Sequence, residues 1–477
     1  MRDYQTNFGG LFMKSMRSWM LAAVAAGLMA GPALAQTQTG GSAPKAKAKA
    51  KTEATAKTKK AAGKTAKKSL QAATRLSKSN HPAFDEGTIR RISATMLSYS
   101  TLEVRGGWPT LPASVASLTP GSSGPDVALL RQRLAITDDL APEHEAGDVF
   151  DAQLAAAIRR FQSRHGLEET GTVGQRTLAA MNVPVSRRLR QLAASLDRLS
   201  QMEFSFGPRY VVVNIPAATA EAVENGKVAR RHQVVVGKID RPSPTLVTHI
   251  TAVNLNPTWT VPLGILRKDV RTRMRRDPGY IGRMHMRVLD GNGREIDPRS
   301  VDWNSDGAPN YTVRQDSGTF NALGAVRFDM PNPHSVFMHD TNHREHFGTD
   351  YRFQSSGCAR TENPRDFAVW LLEQQGGSWT RARIDAAIAT TKRQDIRLER
   401  KVPIAWVYLT GWVNRDNVVE FRDDIYGHDT APSRALMASL RPPAAAEARA
   451  SGFVLQSADP QPEPDIEYKQ VSYLDSQ

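Results

Sequence analysis

Residues 335–364 read SVFMHDTNHREHFGTDYRFQSSGCARTENP and hold the chain's only cysteine, Cys358. Val336, Phe337 and Met338 form a short apolar run of strand type that ends on His339 and Asp340. A polar loop with His343, Arg344, Glu345 and His346 follows, then Ser355-Ser356-Gly357-Cys358-Ala359-Arg360. His339 and Cys358 are nineteen residues apart, room for two strands and a loop to bring them side by side. Asn363 as N-cap, Pro364 at the first helical position and Asp366 in the first turn start a helix. It carries Phe367, Leu371 and Leu372 and stops at Gly376-Gly377.

A thiol becomes a nucleophile when a neighbouring base or positive field favours the thiolate, and an imidazole supplies both. Gly357 lets backbone approach a substrate closely, and the Gly357 and Cys358 N–H groups are candidate donors to an oxyanion. Arg360 adds positive charge two residues on. The competing reading is a lone cysteine as a small buried hydrophobe. Polar neighbours, a histidine after a strand and the marks of export described below favour a reactive thiol, since one cysteine leaves no internal disulfide to explain it. A zinc set of His339, His343, His346 and Cys358 is a further alternative. Against it, Asp340-Thr341-Asn342 reads as a turn, and no glutamate stands between the first two histidines. No metal site is expected.

HDT followed by SSGCAR resembles the active-site signature of L,D-transpeptidases with a YkuD-like catalytic domain, in the larger periplasmic branch. That resemblance implies Cys358 as nucleophile and His339 as its base, acting on peptidoglycan stem peptides without metal or organic cofactor. The common pattern has histidine where Ser356 stands; the larger branch has serine. The resemblance also implies sensitivity to carbapenems. Arg360, Ser356, Trp259, Asn321 and Asp340 are the expected substrate-binding residues. The rival functions are a zinc-dependent amidase or peptidase of the wall, and a non-catalytic wall-binding protein.

The 477 residues carry a formal charge of +15, which by itself suggests nucleic acid. Its distribution argues otherwise. Thirteen Lys and Arg against two acids up to Ser69 account for +11, so the rest is near balance. Lys14 and Arg17 precede an apolar run from Trp19 to Leu28, and Ala33-Leu34-Ala35 makes a small-x-small cleavage site. Residues 1–35 therefore read as a secretory signal peptide, the alternative being an uncleaved anchor. No later apolar stretch is long enough to span a membrane. The Lys/Ala/Thr-rich tract within 36–83 cannot bury a core and is expected to be a disordered spacer or a tether drawn to anionic envelope polymers. With the resemblance, export implies the periplasm of a Gram-negative envelope.

Ile89, Ile92 and Met96 lie on one helical face. Residues 118–182 carry a three-helix pattern: Val127, Leu130 and Leu134; Leu154, Ile158 and Phe161 after the Asp151 cap; Val173, Leu178 and Met181. FDAQLAAAIRRFQSRHGLEETGTVGQRTLAAMNV resembles a peptidoglycan-binding domain, which implies contact with glycan strands; a small bundle packing on its neighbour is the alternative. Leu189, Leu192, Leu196 and Leu199 mark a helix expected to pair with the first, making a scaffold of 84–117 and 183–206. From Arg209 the period changes to strands: 210–215 and 232–237 flank the Asn225-Gly226 turn signal, and 248–254 leads to Trp259, a lid residue or simple core. Residues 263–310 read as an irregular basic lid, with Arg267, Lys268, Arg271, Arg273, Arg275 and Arg276 either drawing stem carboxylates or merely solvated. Strands at 404–413 and 418–421 close a catalytic domain of 207–429, and 430–477 is expected to be a disordered tail. The fold class is α+β: a mixed/antiparallel β-sandwich catalytic domain with its lid, plus a helical scaffold carrying the three-helix domain.

Overall fold

The first strand of the sheet buries both faces, and alternation shows where each face goes. In β1 (Arg209–Asn214), Val211 and Val213 join one core while Tyr210 and Val212 join another. Such two-sided burial requires cover above and below the sheet. The computed structural model describes residues 74–430 except 306, 308, 309 and 377. The expected signal peptide, most of the Lys-rich tract and the tail from 431 lie outside the described residues. No helix among the described residues is long and apolar enough to cross a membrane.

Beyond β1 the chain forms β2 (Thr219–Glu224), β3 (Lys227–Gly237) and β4 (Leu246–Leu255). The lid holds β5 (Trp259–Thr260), β6 (Met286–Leu289), β7 (Glu295–Ile296) and β8 (Thr312–Gln315). Then come β9 (Val326–Asp329), β10 (Met338–His339), β11 (Phe353–Ser355), β12 (Ala359–Thr361) and β13 (Gln394–Val407). The main sheet runs β11-β3-β12-β10-β9-β4-β13-β1-β2, and β2 pairs again with β3. The hydrogen bonding thus returns on itself. The expected α+β class with a mixed sheet is what forms, and the sandwich's two layers belong to one ring. Three pairs are parallel: β1 with β13, β10 with β12 and β11 with β3.

Asn225 and Gly226, at φ 51° and 74°, make the two-residue turn that twisted hairpins favour. It joins β3 to β2, a strand whose Ala and Glu residues hid it from pattern reading. Glu221 on β2 is buried because Arg231 pairs with it at 2.8 Å and the Ala83 N–H donates to it at 2.7 Å. The expected linker to residue 83 consequently ends earlier. From Thr74 the chain is tied down: Arg75 N–H donates to Gly166 C=O (2.9 Å), and Asn80 C=O accepts from Val228 N–H (2.9 Å).

Inside the ring, Val234, Val236, Val253, Phe328, Met338 and Trp406 meet the helix α7 (Pro364–Leu372), which inserts Phe367, Trp370 and Leu371. Outside lie α1 (Thr88–Val104) and α5 (Val185–Ser200), where Ile92 and Met96 pack with Leu189, Leu192 and Trp412. Between them in sequence come α2 (Pro125–Ala135), α3 (Ala152–Arg164) and α4 (Gln175–Met181), with their own core of Val127, Leu134, Ile158, Phe161 and Met181. The Asp151 carboxylate caps α3 by accepting from Leu154 N–H at 2.8 Å. Residues 263–310, expected to be irregular, instead fold compactly. Short helices, among them α6 (Arg271–Arg276), pack Leu266, Val270, Met274 and Ile281 against Val288 and Val313 of a four-stranded sheet β5-β8-β6-β7. Two- to four-residue strands leave little periodicity to read.

Candidate active site

Cys358 stands one residue before β12, half-buried. β10 and β12 run parallel with Met338 opposite Ala359 and His339 opposite Arg360. The Ala359 N–H donates to Phe337 C=O at 3.1 Å, which continues the register and sets Phe337 beside Cys358. Side chains alternate along a strand, so Met338 and Ala359 enter the ring core while His339 and Arg360 turn to the other face, and Cys358, in the turn before β12, packs at the edge of that core. The register sets Cys358 diagonally across from His339, two residues before Arg360.

His339 is 5% exposed, and its Nδ1 lies 2.5 Å from the Asp340 carbonyl oxygen. A carbonyl only accepts, so Nδ1 carries the proton and Nε2 holds the lone pair. Burial, aided by the charge of Arg360, brings the His339 pKa down to about 3. Burial likewise pushes the Cys358 thiol up to about 11, against the Phe337 N–H and the charges of Arg360 and Arg327, which favour the thiolate. In the free protein both groups are neutral near pH 7.

The turn that carries the sulfur is clamped from both sides. Ser355 Oγ donates to Cys358 C=O at 2.6 Å and accepts from Gly357 N–H at 3.1 Å. From the turn after β3, Ser243 Oγ donates to Gly357 C=O at 2.6 Å and accepts from Gly237 N–H at 2.9 Å. Tyr426 O–H donates to Gly237 C=O at 2.5 Å. Gly357 has φ 123°, a conformation that side chains resist.

The remaining expected site residues fall into two groups. Arg360 is half-buried beside the pair, its Nη1 3.1 Å from His346 Nδ1. Ser356 is exposed on the turn, and its Oγ accepts from Arg241 at 3.2 Å. Asn321, by contrast, is fully buried with its amide engaged by Pro257 C=O, Asp316 C=O and Leu323 N–H, so it knits a loop rather than lining a groove. Asp340 is also buried, accepting from Ala325 N–H at 2.9 Å and pairing with Arg344 at 3.2 Å. Its carboxylate braces the strand end, while its carbonyl orients His339. Of the two expected oxyanion donors, the Gly357 N–H is engaged by Ser355; the Cys358 N–H has no partner among the described residues. Trp259 packs at the edge of the lid core. Arg271 and Arg275 of the basic lid run brace Trp303 C=O.

Sequence reading missed Arg241 and Ser243, over a hundred residues before Cys358, which meet its turn at Ser356 and Gly357, and Tyr426, under seventy residues after it, which bonds to Gly237. A cavity of about 430 Å³ lined by Gln233, Asp340, Arg344, Thr361 and Glu362 contains neither Cys358 nor His339. Among the described residues, no group of three His, Cys, Asp or Glu is placed to hold a metal ion. His343 and His346 stack on one another with Glu345 at 3.0 Å from His343.

Residues 208–433 match the L,D-transpeptidase catalytic domain, and residues 123–181 match the family described as "Putative peptidoglycan binding domain". A "Putative L,D-transpeptidase" of Haemophilus influenzae is 33% identical over 254 residues, 52% of this chain and 50% of that protein. The chain thus spans about half the length of this relative. Among solved structures, an L,D-transpeptidase from Stackebrandtia nassauensis aligns at 12% identity and TM-score 0.24, over 61% of this chain and 95% of that one. An L,D-transpeptidase from Mycobacterium smegmatis aligns at 15% identity and TM-score 0.21, over 42% and 58%.

Proposed function

We propose, for a chain that carries an L,D-transpeptidase catalytic domain and a peptidoglycan-binding module, that it cross-links peptidoglycan stems through an acyl-enzyme on Cys358. The sulfur attacks the carbonyl of the third stem residue, meso-diaminopimelate. Nε2 of His339 takes the thiol proton as the S–C bond forms and returns it to the amine of the departing D-alanine. An amine of a second stem then attacks the thioester, gives its proton to His339 and restores the thiol. The Cys358 N–H is the oxyanion donor. Arg360 supports the thiolate that develops during attack. Residues 118–182 hold the enzyme on glycan strands, and the site of action is the periplasm.

The observation that supports this reading is the parallel pairing of β10 with β12, which brings His339 and the turn of Cys358 onto adjacent strands, with the imidazole tautomer fixed by the Asp340 carbonyl. With both partners neutral in the free protein, the proton transfers during attack rather than before it. The test is mass spectrometry of muropeptides formed from purified tetrapeptide stems. Cross-linked dimers lacking one D-alanine are expected, and none with Cys358→Ala. Dimers formed equally by Cys358→Ala would refute the assignment. Incubation with a carbapenem is expected to add its mass to Cys358 and to no other residue.

A further inference from the structure

Arg241, in the turn between β3 and β4, holds a carboxylate next to the nucleophile's turn. Its Nη1 and Nη2 reach Asp269 Oδ2 at 2.6 Å and Oδ1 at 3.0 Å, a two-pronged grip. The same Nη1 donates to Ser356 Oγ at 3.2 Å, two residues before Cys358. Arg241 Nε is buried with no hydrogen-bond partner among the described residues. The two partners differ in attachment. Arg241 is fixed to the ring: its N–H donates to Lys238 C=O at 2.9 Å, and its carbonyl oxygen would lie 2.3 Å from any Cβ on Gly237. Asp269 belongs to the helical turn Leu266–Val270 at the head of the lid, which is built around its own core. The Asp269 side chain is 40% exposed and that of Arg241 16%, so the carboxylate is the outer, accessible member.

We propose that Arg241 is the carboxylate-binding residue of the donor site, and that Asp269 occupies it until a free carboxylate of the donor stem takes its place. This rests on the transpeptidase reading above. A guanidinium exchanging one carboxylate for another keeps both prongs paired, whereas an uncharged donor leaves Asp269 in possession. Two residues of backbone separate Ser356 from Cys358, about 7 Å of reach. The side-chain carboxylate of the third stem residue matches that distance from the scissile carbonyl better than the C-terminal carboxylate, which is one residue away. Lid release is thereby coupled to donor charge, since the ligand that displaces Asp269 also frees the helix that carries it.

The test is a titration of tetrapeptide donors into Cys358→Ala protein, so that binding is read apart from turnover. Three donors are compared: the free acid, one amidated on the third residue's side chain and one amidated at the C-terminus. Arg241→Gln is expected to weaken the free acid about tenfold, and Asp269→Asn to tighten it about fivefold, the size of one charge-assisted pair lost or freed. The side-chain amide should bind weakly and ignore both changes; the C-terminal amide should follow the free acid. If the C-terminal amide is the one that ignores both changes, Arg241 still reads a carboxylate and the source is the leaving residue. The proposal is overturned if Arg241→Gln leaves the acid-to-amide ratio at the parent value. It is also overturned if Asp269→Asn weakens the acid as Arg241→Gln does, which would make the pair a brace. Should Arg241→Gln lower the melting temperature sharply, Arg241→Lys and Asp269→Asn give the same comparison. Loss of cross-linking by the Cys358 enzyme with these affinities intact would instead count against the transpeptidase reading.

Discussion

Cys358 and His339 hold their protons in the reverse of a pre-formed ion pair, with the thiol pushed up to about 11 and the imidazole down to about 3. Alkylation of Cys358 by iodoacetamide should therefore climb about tenfold per pH unit from pH 6 to 9, because only the thiolate reacts and its fraction grows in that proportion below the pKa. Peptide mapping of the labelled protein measures it, and a plateau near pH 7 would count against a neutral resting pair. Ser243 is the second test at this scale. Ser243→Ala removes a donor to Gly357 C=O and an acceptor from Gly237 N–H, both buried. A loss of about 1–3 kcal/mol in unfolding free energy is expected. kcat for cross-linking should fall further than stability explains, because the turn that presents the sulfur loses one wall. Cys358 and His339, the proposed nucleophile and base, were singled out from residue type, a preceding strand and a glycine, and the structure sets them on adjacent strands. Ser243 was not, as no local pattern marks a serine that acts from another turn of the ring. Asn321 misled for the opposite reason: an amide in a small-residue run looks like groove lining, and only burial shows it spent on backbone.

Among the elements, the loop leading into β9 and the end of β10 are coupled through one glycine. Gly324 sits at φ 60°, and a Cβ there would come within 2.5 Å of the Asp340 carboxylate. Gly324→Ala should displace Asp340, and with it the carbonyl that fixes His339. About 1–3 kcal/mol of stability is expected to go, with the backbone conformation itself costly for any side chain. Thermal unfolding and the rate of carbapenem acylation read the two consequences separately; an unchanged acylation rate would show the imidazole to be held independently. The long strands and amphipathic helices were legible here because burial on one face repeats with a fixed period. β2 and the lid sheet were not, since a buried Glu221 breaks the alternation and strands of two to four residues carry too few positions to show one.

Taken as a whole, the molecule buries charge where its parts meet. Arg164 pairs with Asp139 at 2.5 Å, both nearly inaccessible, and Arg164 also donates to Val419 C=O in the hairpin formed by residues 411–421. Asp139→Asn leaves a buried cation without its partner and should cost about 3–5 kcal/mol. Denaturant unfolding would measure it, and a cost below about 1 kcal/mol would place the pair among surface bridges. Acid sensitivity also belongs to this scale. His165, His232 and His339 are each held neutral by burial, with pKa values below the ordinary imidazole. The unfolded chain takes up protons as pH falls through about 6.5, while the folded one does not until the lowered values are reached, so stability rises with pH across that interval. A urea midpoint lower at pH 5 than at pH 7 is expected, with His165→Asn reducing the difference.

Closure of the strands has a last consequence, for how a partner peptide can be gripped. An open sheet offers a row of unpaired amides on which a visiting chain lies down as one more strand. Here β10, which holds His339, and β12, which Cys358 precedes, are each flanked by a strand on both sides. A peptide bound there would be held by its functional groups and by the lid rather than by strand pairing.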